Sequence, residues 1–193
     1  MKPYKAKELP IEYAITKELL TLVAEANQKY GEYKAALDTL EMDTTYFLDS
    51  VLLTESYKST QIEGTQISQD EMYYLKYMKM SDDSREIQNL KASIKYAEEH
   101  IVDGLTYELV NEMHRILLDS VRGEEKMPGE IRKTQNWIGP RGCGIDNATF
   151  VPPVPEEVHS LLLNLYEYMN DPFVDPILIN IALAHAQFET IHA

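Results

Sequence analysis

Asp175-Pro176-Ile177-Leu178-Ile179-Asn180-Ile181-Ala182-Leu183-Ala184-His185-Ala186-Gln187-Phe188-Glu189-Thr190-Ile191-His192 is the stretch that decides the fold. Asp175-Pro176 suits a helix start, because a proline at the first helical position gives up an N–H that has no intrahelical partner there. Beyond it Ile179, Ile181, Leu183, Ala184, Phe188 and Ile191 spread apolar side chains over most of the helical circumference, the pattern of a helix covered on several sides. Such a helix needs neighbours around it, and with no capping signal at Ile191-His192-Ala193 some of those partners are expected to be missing from the chain as written.

Immediately upstream, Pro155-Glu156-Glu157 opens a helix through Leu161, Leu162, Leu165 and Met169, with acidic residues in the first turn where the helix dipole favours them. Helical periodicity also marks 84–101 (Ile87, Leu90, Ile94, Ala97, Ile101) and 106–119, the latter capped by Thr106. Ser68 followed by Glu71 has the form of a capping box and predicts a helix through Met72, Leu75 and Met78. A further helix runs from about Thr44 to Ile62, with Gly64 placed to end it in a left-handed cap. From Pro10 to about Leu40 the pattern predicts one long helix or two short ones, with Pro10 at a first helical position.

Composition changes between Met127 and Pro155, where Pro128-Gly129, Gly139-Pro140, Gly142, Gly144 and Asp146-Asn147 break any helix. Gln135–Ile138 and Thr149–Val151 are strand-like and are expected to pair as a β-hairpin. At least two of Trp137, Ile138, Phe150 and Val151 are expected to be ordinary packing residues of that hairpin.

The 193 residues carry 44% hydrophobic and 26% charged side chains, enough for a core that buries roughly two-thirds of the unfolded surface. A net charge of −14, with no Lys/Arg stripe, argues against unaided binding to nucleic acid or an anionic membrane. No run approaches the ~20 apolar residues of a membrane span. One cysteine, Cys143, makes no internal disulfide, and the simplest location is the cytoplasm.

Three segments, in order, resemble the Fic (Fic/DOC) family. Ser59-Thr60-Gln61-Ile62-Glu63-Gly64 is similar to its inhibitory helix signature. Pro128-Gly129-Glu130-Ile131-Arg132, running through Gln135-Asn136-Trp137-Ile138-Gly139 to Phe150-Val151-Pro152-Pro153, is similar to the approach to its β-hairpin flap. Ala182 to His192 resembles the helix leading into its catalytic motif. Of that motif, His-Pro-Phe followed by an acidic residue and Gly-Asn-Gly-Arg, only His192 is present, and Ala193 stands where proline is expected.

The resemblance implies a mainly α fold, a Fic-type helical bundle with a β-hairpin flap and an N-terminal helical extension. Residues 1–80 would form the N-terminal helical region carrying the inhibitory helix, and 81–193 the first part of the Fic core with the flap at 135–153. It implies a protein adenylyltransferase that uses ATP and Mg²⁺ to place AMP on a Ser, Thr or Tyr hydroxyl of a protein partner. His192 would be the catalytic base, a role that suits a neutral imidazole of ordinary pKa near ~6.5. Glu63, oriented by Ser59 and followed by Gly64, would be inhibitory, pairing with a motif arginine and standing where the γ-phosphate would go. Gln187 would touch the nucleotide, or else satisfy a backbone group. Ile138, Gly139, Thr149, Phe150 and Val151 would offer an edge to an extended segment of the target. Family members often dimerise, so a homodimer belongs among the expectations.

No metal ligand set is expected in this chain. His185, Glu189 and His192 share a helix face, but His185 reads better as a hydrogen-bonded core histidine. The metal carboxylate, the anion-binding glycines and the arginines would lie beyond Ala193, so the chain is expected to be incomplete and inactive as written. The alternatives are a non-catalytic Fic fragment that binds a partner, or a Fic enzyme that removes AMP or transfers another phosphate-containing group.

Overall fold

The computed structural model describes residues 2–40, 44–62, 64, 68, 71, 74, 81–102, 104–121 and 127–192. The chain divides into two compact units, one of Glu12–Lys91 and one of Met1–Ile11 with Ala92–Ala193.

In the first unit, α1 spans Lys17–Asp38 and α2 spans Thr44–Ile62. Helix α1 begins at Thr16, whose hydroxyl accepts from the Leu19 N–H at 3.1 Å and satisfies one of the orphan donors of a helix start. Helix α2 stops at Gly64, where φ is +100° and the N–H donates to the Gln61 carbonyl, as the left-handed cap requires. The capping box forms: Ser68 N–H and hydroxyl both donate to Glu71 Oε2, at 2.8 and 2.7 Å, while Glu71 N–H returns a bond to Ser68 Oγ at 3.2 Å. The helix expected to follow, through Met72, Leu75 and Met78, falls outside the described residues.

Helix α3 spans Asp82–His100 and starts on a second reciprocal cap. Ser81 N–H donates to Ser84 Oγ at 2.8 Å, and Ser84 N–H to Ser81 Oγ at 3.2 Å. Tyr57 of α2 and Ile87 of α3 are buried together, with Leu53 packed against them.

In the second unit, Ser93 on the later half of α3 donates to the Met113 carbonyl of α4, Tyr107–Leu117. Thr106 caps α4 by accepting from Leu109 N–H at 3.1 Å. Helices α5, Pro155–Asn170, and α6, Ile177–His192, carry the core, in which Val158, Leu161, Leu162, Leu165, Tyr166 and Tyr168 of α5 meet Ala184 and Ile191 of α6. Each such aliphatic side chain, withdrawn from water, contributes on the order of 1.5–3 kcal/mol.

Three expectations are corrected. Pro10 starts no helix: residues 2–11 form an irregular strap, bent at 9–10, and α1 begins only at Lys17. Asn164 of α5 holds that strap, its Oδ1 accepting from Leu9 N–H and its Nδ2 donating to the Leu9 carbonyl, both at 2.8 Å. A side-chain amide thereby takes the backbone groups a helix would have used, and Leu9 is buried in the core.

Helix α6 is covered on one face rather than several. Asn180, Ala184 and Ile191 are buried, while Ile177 and Ile181 stand 62% and 53% exposed. Among the described residues, α5 and the strap cover only the side they pack on.

The mainly helical fold is present, but the β-hairpin is reduced to one antiparallel bridge, Ile138 with Phe150. Pro152 and Pro153, with no N–H to give, prevent pairing from continuing past Val151. On the other limb, Gln135 Nε2 bonds the Asn136 and Pro152 carbonyls at 3.1 Å each, in place of ladder bonds.

Candidate functional site

The last turn of α6, the bridge between Ile138 and Phe150, and the segment 129–136 converge in the second unit. His192 is exposed at the end of α6, its ring stacked on Phe188 with centroids 5.6 Å apart and planes 12° from parallel. Phe188, one turn earlier on the same face, sets the direction of the imidazole. The His192 carbonyl accepts from Asn136 Nδ2 at 3.4 Å, and the preceding carbonyl, of Ile191, accepts from Arg132 Nη2 at 3.4 Å. The same Arg132 nitrogen donates to the Pro153 carbonyl at 2.5 Å. Burial pulls the Arg132 pKa down, partly offset by the charge of Glu156, but the group starts so high that it stays protonated.

His114 of α4 is a second imidazole beside this site. Its Nδ1 accepts from Gly129 N–H at 3.1 Å, so the proton of the neutral ring sits on Nε2. Burial lowers its pKa, and the charge of His192 lowers it further, which marks the two rings as electrostatic neighbours. The helical pattern of 106–119 places His114 on α4 without signalling either contact.

On the bridge, Ile138 N–H donates to the Phe150 carbonyl at 2.9 Å, and the Ile138 carbonyl accepts from Thr149 and Phe150. Ile138, Gly139 and Thr149 are exposed. Phe150 is half-buried, its ring tilted against Tyr4 at 5.8 Å, and Val151 is 1% exposed, with its carbonyl taken by Tyr4 N–H at 2.8 Å. The open side of the bridge is therefore that of Ile138 and Gly139. Gly139 is required by close approach: a Cβ there would stand 2.6 Å from Cys143 Sγ. Trp137 Nε1 ties the turn together by donating to the Cys143 carbonyl.

Gln187 donates its side-chain amide to the Lys7 carbonyl of the strap at 2.9 Å. His185 is exposed, not a core histidine, because it lies on the uncovered side of α6. Among the described residues, no three His, Cys, Asp or Glu side chains are grouped to hold a metal ion. On α2, Ser59 is exposed in the last turn before Gly64, and Glu63 lies outside the described residues. No helix among the described residues is long and apolar enough to cross a membrane.

A search of curated proteins finds no match to the chain. Two family profiles do match: the Fic/DOC family N-terminal profile over residues 20–99, and the Fic/DOC family profile over residues 104–193. Together they span nearly the whole sequence, including every element of the site, and the chain belongs to the Fic/DOC family.

Proposed function

We propose that this chain belongs to a cytoplasmic protein adenylyltransferase in which His192 is the general base and Glu63 holds the activity in check. The supporting observation is the placement of His192: an exposed imidazole at the end of α6, stacked on Phe188, with its backbone tied to the segment that also holds the flap. In the reaction a Ser, Thr or Tyr hydroxyl of a target protein gives its proton to the imidazole, its oxygen attacks the α-phosphorus of ATP, and pyrophosphate leaves. The target segment would pair by main-chain hydrogen bonds along the outer edge of the flap limb at Gly139, beside Ile138, whose own N–H and carbonyl are committed to the bridge.

The described residues supply the base and no phosphate cradle. No metal-ligating group is assembled among them, and Arg132, the cation beside the helix end, has a guanidinium nitrogen committed to the Pro153 and Ile191 carbonyls. Mg²⁺, when bound, would supply charge stabilisation on the phosphates. Restraint by Glu63 rests on the chemistry of a carboxylate competing with phosphate for an arginine.

The test is intact-mass detection of AMP on the protein or a target after incubation with Mg-ATP, comparing the full reading frame, Glu63→Gly and His192→Ala. Modification should rise with Glu63→Gly and vanish with His192→Ala. If none of the three is modified and none binds ATP, a non-catalytic, partner-binding Fic module replaces the transferase.

A further inference from the structure

The last four carbonyls of an α-helix have no partner within the helix. At the end of α6 two of them, of Ile191 and His192, are met by side chains from one short segment, Arg132 and Asn136. At 3.4 Å each bond is long and individually weak, so the arrangement depends on what holds the donors in place. The segment is anchored repeatedly. Gly129 N–H donates to His114 Nδ1, Gln135 Nε2 donates to the buried Pro152 carbonyl, and Arg132 Nη2 donates to the Pro153 carbonyl. A single guanidinium nitrogen thus touches Pro153, two residues past the flap strand, and Ile191, one residue before the proposed base.

We propose that Arg132 and Asn136 are positioning residues that lock the end of α6 to the base of the flap, setting the distance between the His192 imidazole and a hydroxyl presented on the flap. The catalytic half of this statement rests on the adenylyltransferase reading above; the mechanical half does not. A guanidinium suits the task because its planar donors are preorganised and its positive charge favours a helix C-terminus. Asn136 adds a neutral donor one carbonyl further on, so the final turn is held at two consecutive points. Both side chains bond backbone carbonyls. Their effect passes through the backbone of His192, and a misplacement of about 1 Å in such a group costs up to roughly a hundredfold in rate.

The test uses the full-length protein with Asn136→Ala, Arg132→Met and the conservative Arg132→Lys, each also in the Glu63→Gly background. Hydrogen exchange of the backbone amides of the last turn of α6 is the readout that requires no activity. It should quicken in Asn136→Ala and Arg132→Met and return toward the parent rate in Arg132→Lys, while Asn136→Ala leaves the melting temperature unchanged. In AMP transfer, kcat should fall about ten- to a hundredfold with KM for ATP unchanged, Arg132→Lys again recovering part of the loss. Unchanged exchange in both Asn136→Ala and Arg132→Met overturns the lock whether or not the protein is active. Quickened exchange with unchanged kcat overturns its role in positioning. Quickened exchange in a protein that transfers no AMP even with Glu63→Gly leaves the lock standing and removes the adenylyltransferase reading instead.

Discussion

His114 carries a consequence that belongs to one residue. Its Nδ1 must stay unprotonated to accept from Gly129 N–H, and burial, followed by the charge of His192, lowers its pKa in the folded protein. Above the ordinary histidine pKa of about 6.5 both folded and unfolded states hold it neutral, and the contact is fully present. As pH falls below that value the unfolded chain takes up a proton that the folded chain refuses. Stability is then lost progressively until pH passes the lowered folded value. In His114→Asn, whose amide oxygen can still accept from Gly129, the slope of stability against pH just below the ordinary value of about 6.5 should be shallower than in the parent, measured by urea midpoints at several pH values. Identical slopes would remove His114 as a titrating contributor. The sequence placed His114 on a helix and His192 at a helix end, but their proximity joins two helices and leaves no mark in local periodicity.

At the scale of elements, caps were legible and straps were not. Thr106, the Ser68–Glu71 box and Gly64 behave as their spacing implies, because a cap is satisfied by backbone groups within a few residues. Pro10 misled because the same helix-start signal was overridden by Asn164, 155 residues away in sequence from the Leu9 it binds. A second asparagine on α5, Asn170, grips Leu105 in the same two-bond manner, at 2.7 and 2.8 Å. Replacing Asn164 with Ala leaves the N–H and carbonyl of buried Leu9 without their partner, at a cost of about 1–3 kcal/mol. It should also free the strap, so that limited proteolysis cuts within residues 2–11 at protease levels the parent resists. A parent-like digestion pattern and urea midpoint would show that the strap is held by Leu9 packing alone. The flap follows the same logic: Trp137, Ile138, Thr149, Phe150 and Val151 are strand-forming residue types, yet Pro152-Pro153 and the Gln135 amide stop pairing after one bridge.

For the molecule as a whole, charge is the property with the broadest reach. Thirty-two acidic residues against eighteen basic ones give −14, and of the described ion pairs, Lys29–Glu32, Arg115–Glu112 and Lys133–Glu130 are largely exposed pairs three residues apart, worth little each, while Lys91–Asp49 is a longer contact at 3.6 Å. Self-repulsion should therefore outweigh local pairing, and added salt should screen it. The melting temperature is expected to rise between low ionic strength and about 0.3 M sodium chloride, in which the Debye length is well under 10 Å. A fall over that range would mean that ion pairs stabilise the fold more than net charge destabilises it.

The sequence by itself determined that the chain is mainly helical, where most helices begin and end, and that it belongs to the Fic/DOC family, since these depend on short-range pattern and on motif order. Only the tertiary structure decided that residues 2–11 lie as a strap, that one face of α6 is covered, and that Arg132 and Asn136 meet the carbonyls of Ile191 and His192. Those contacts pair side-chain amides and a guanidinium with backbone groups dozens of residues away. A backbone carbonyl has no residue identity, so nothing in the sequence marks which one a distant donor will find.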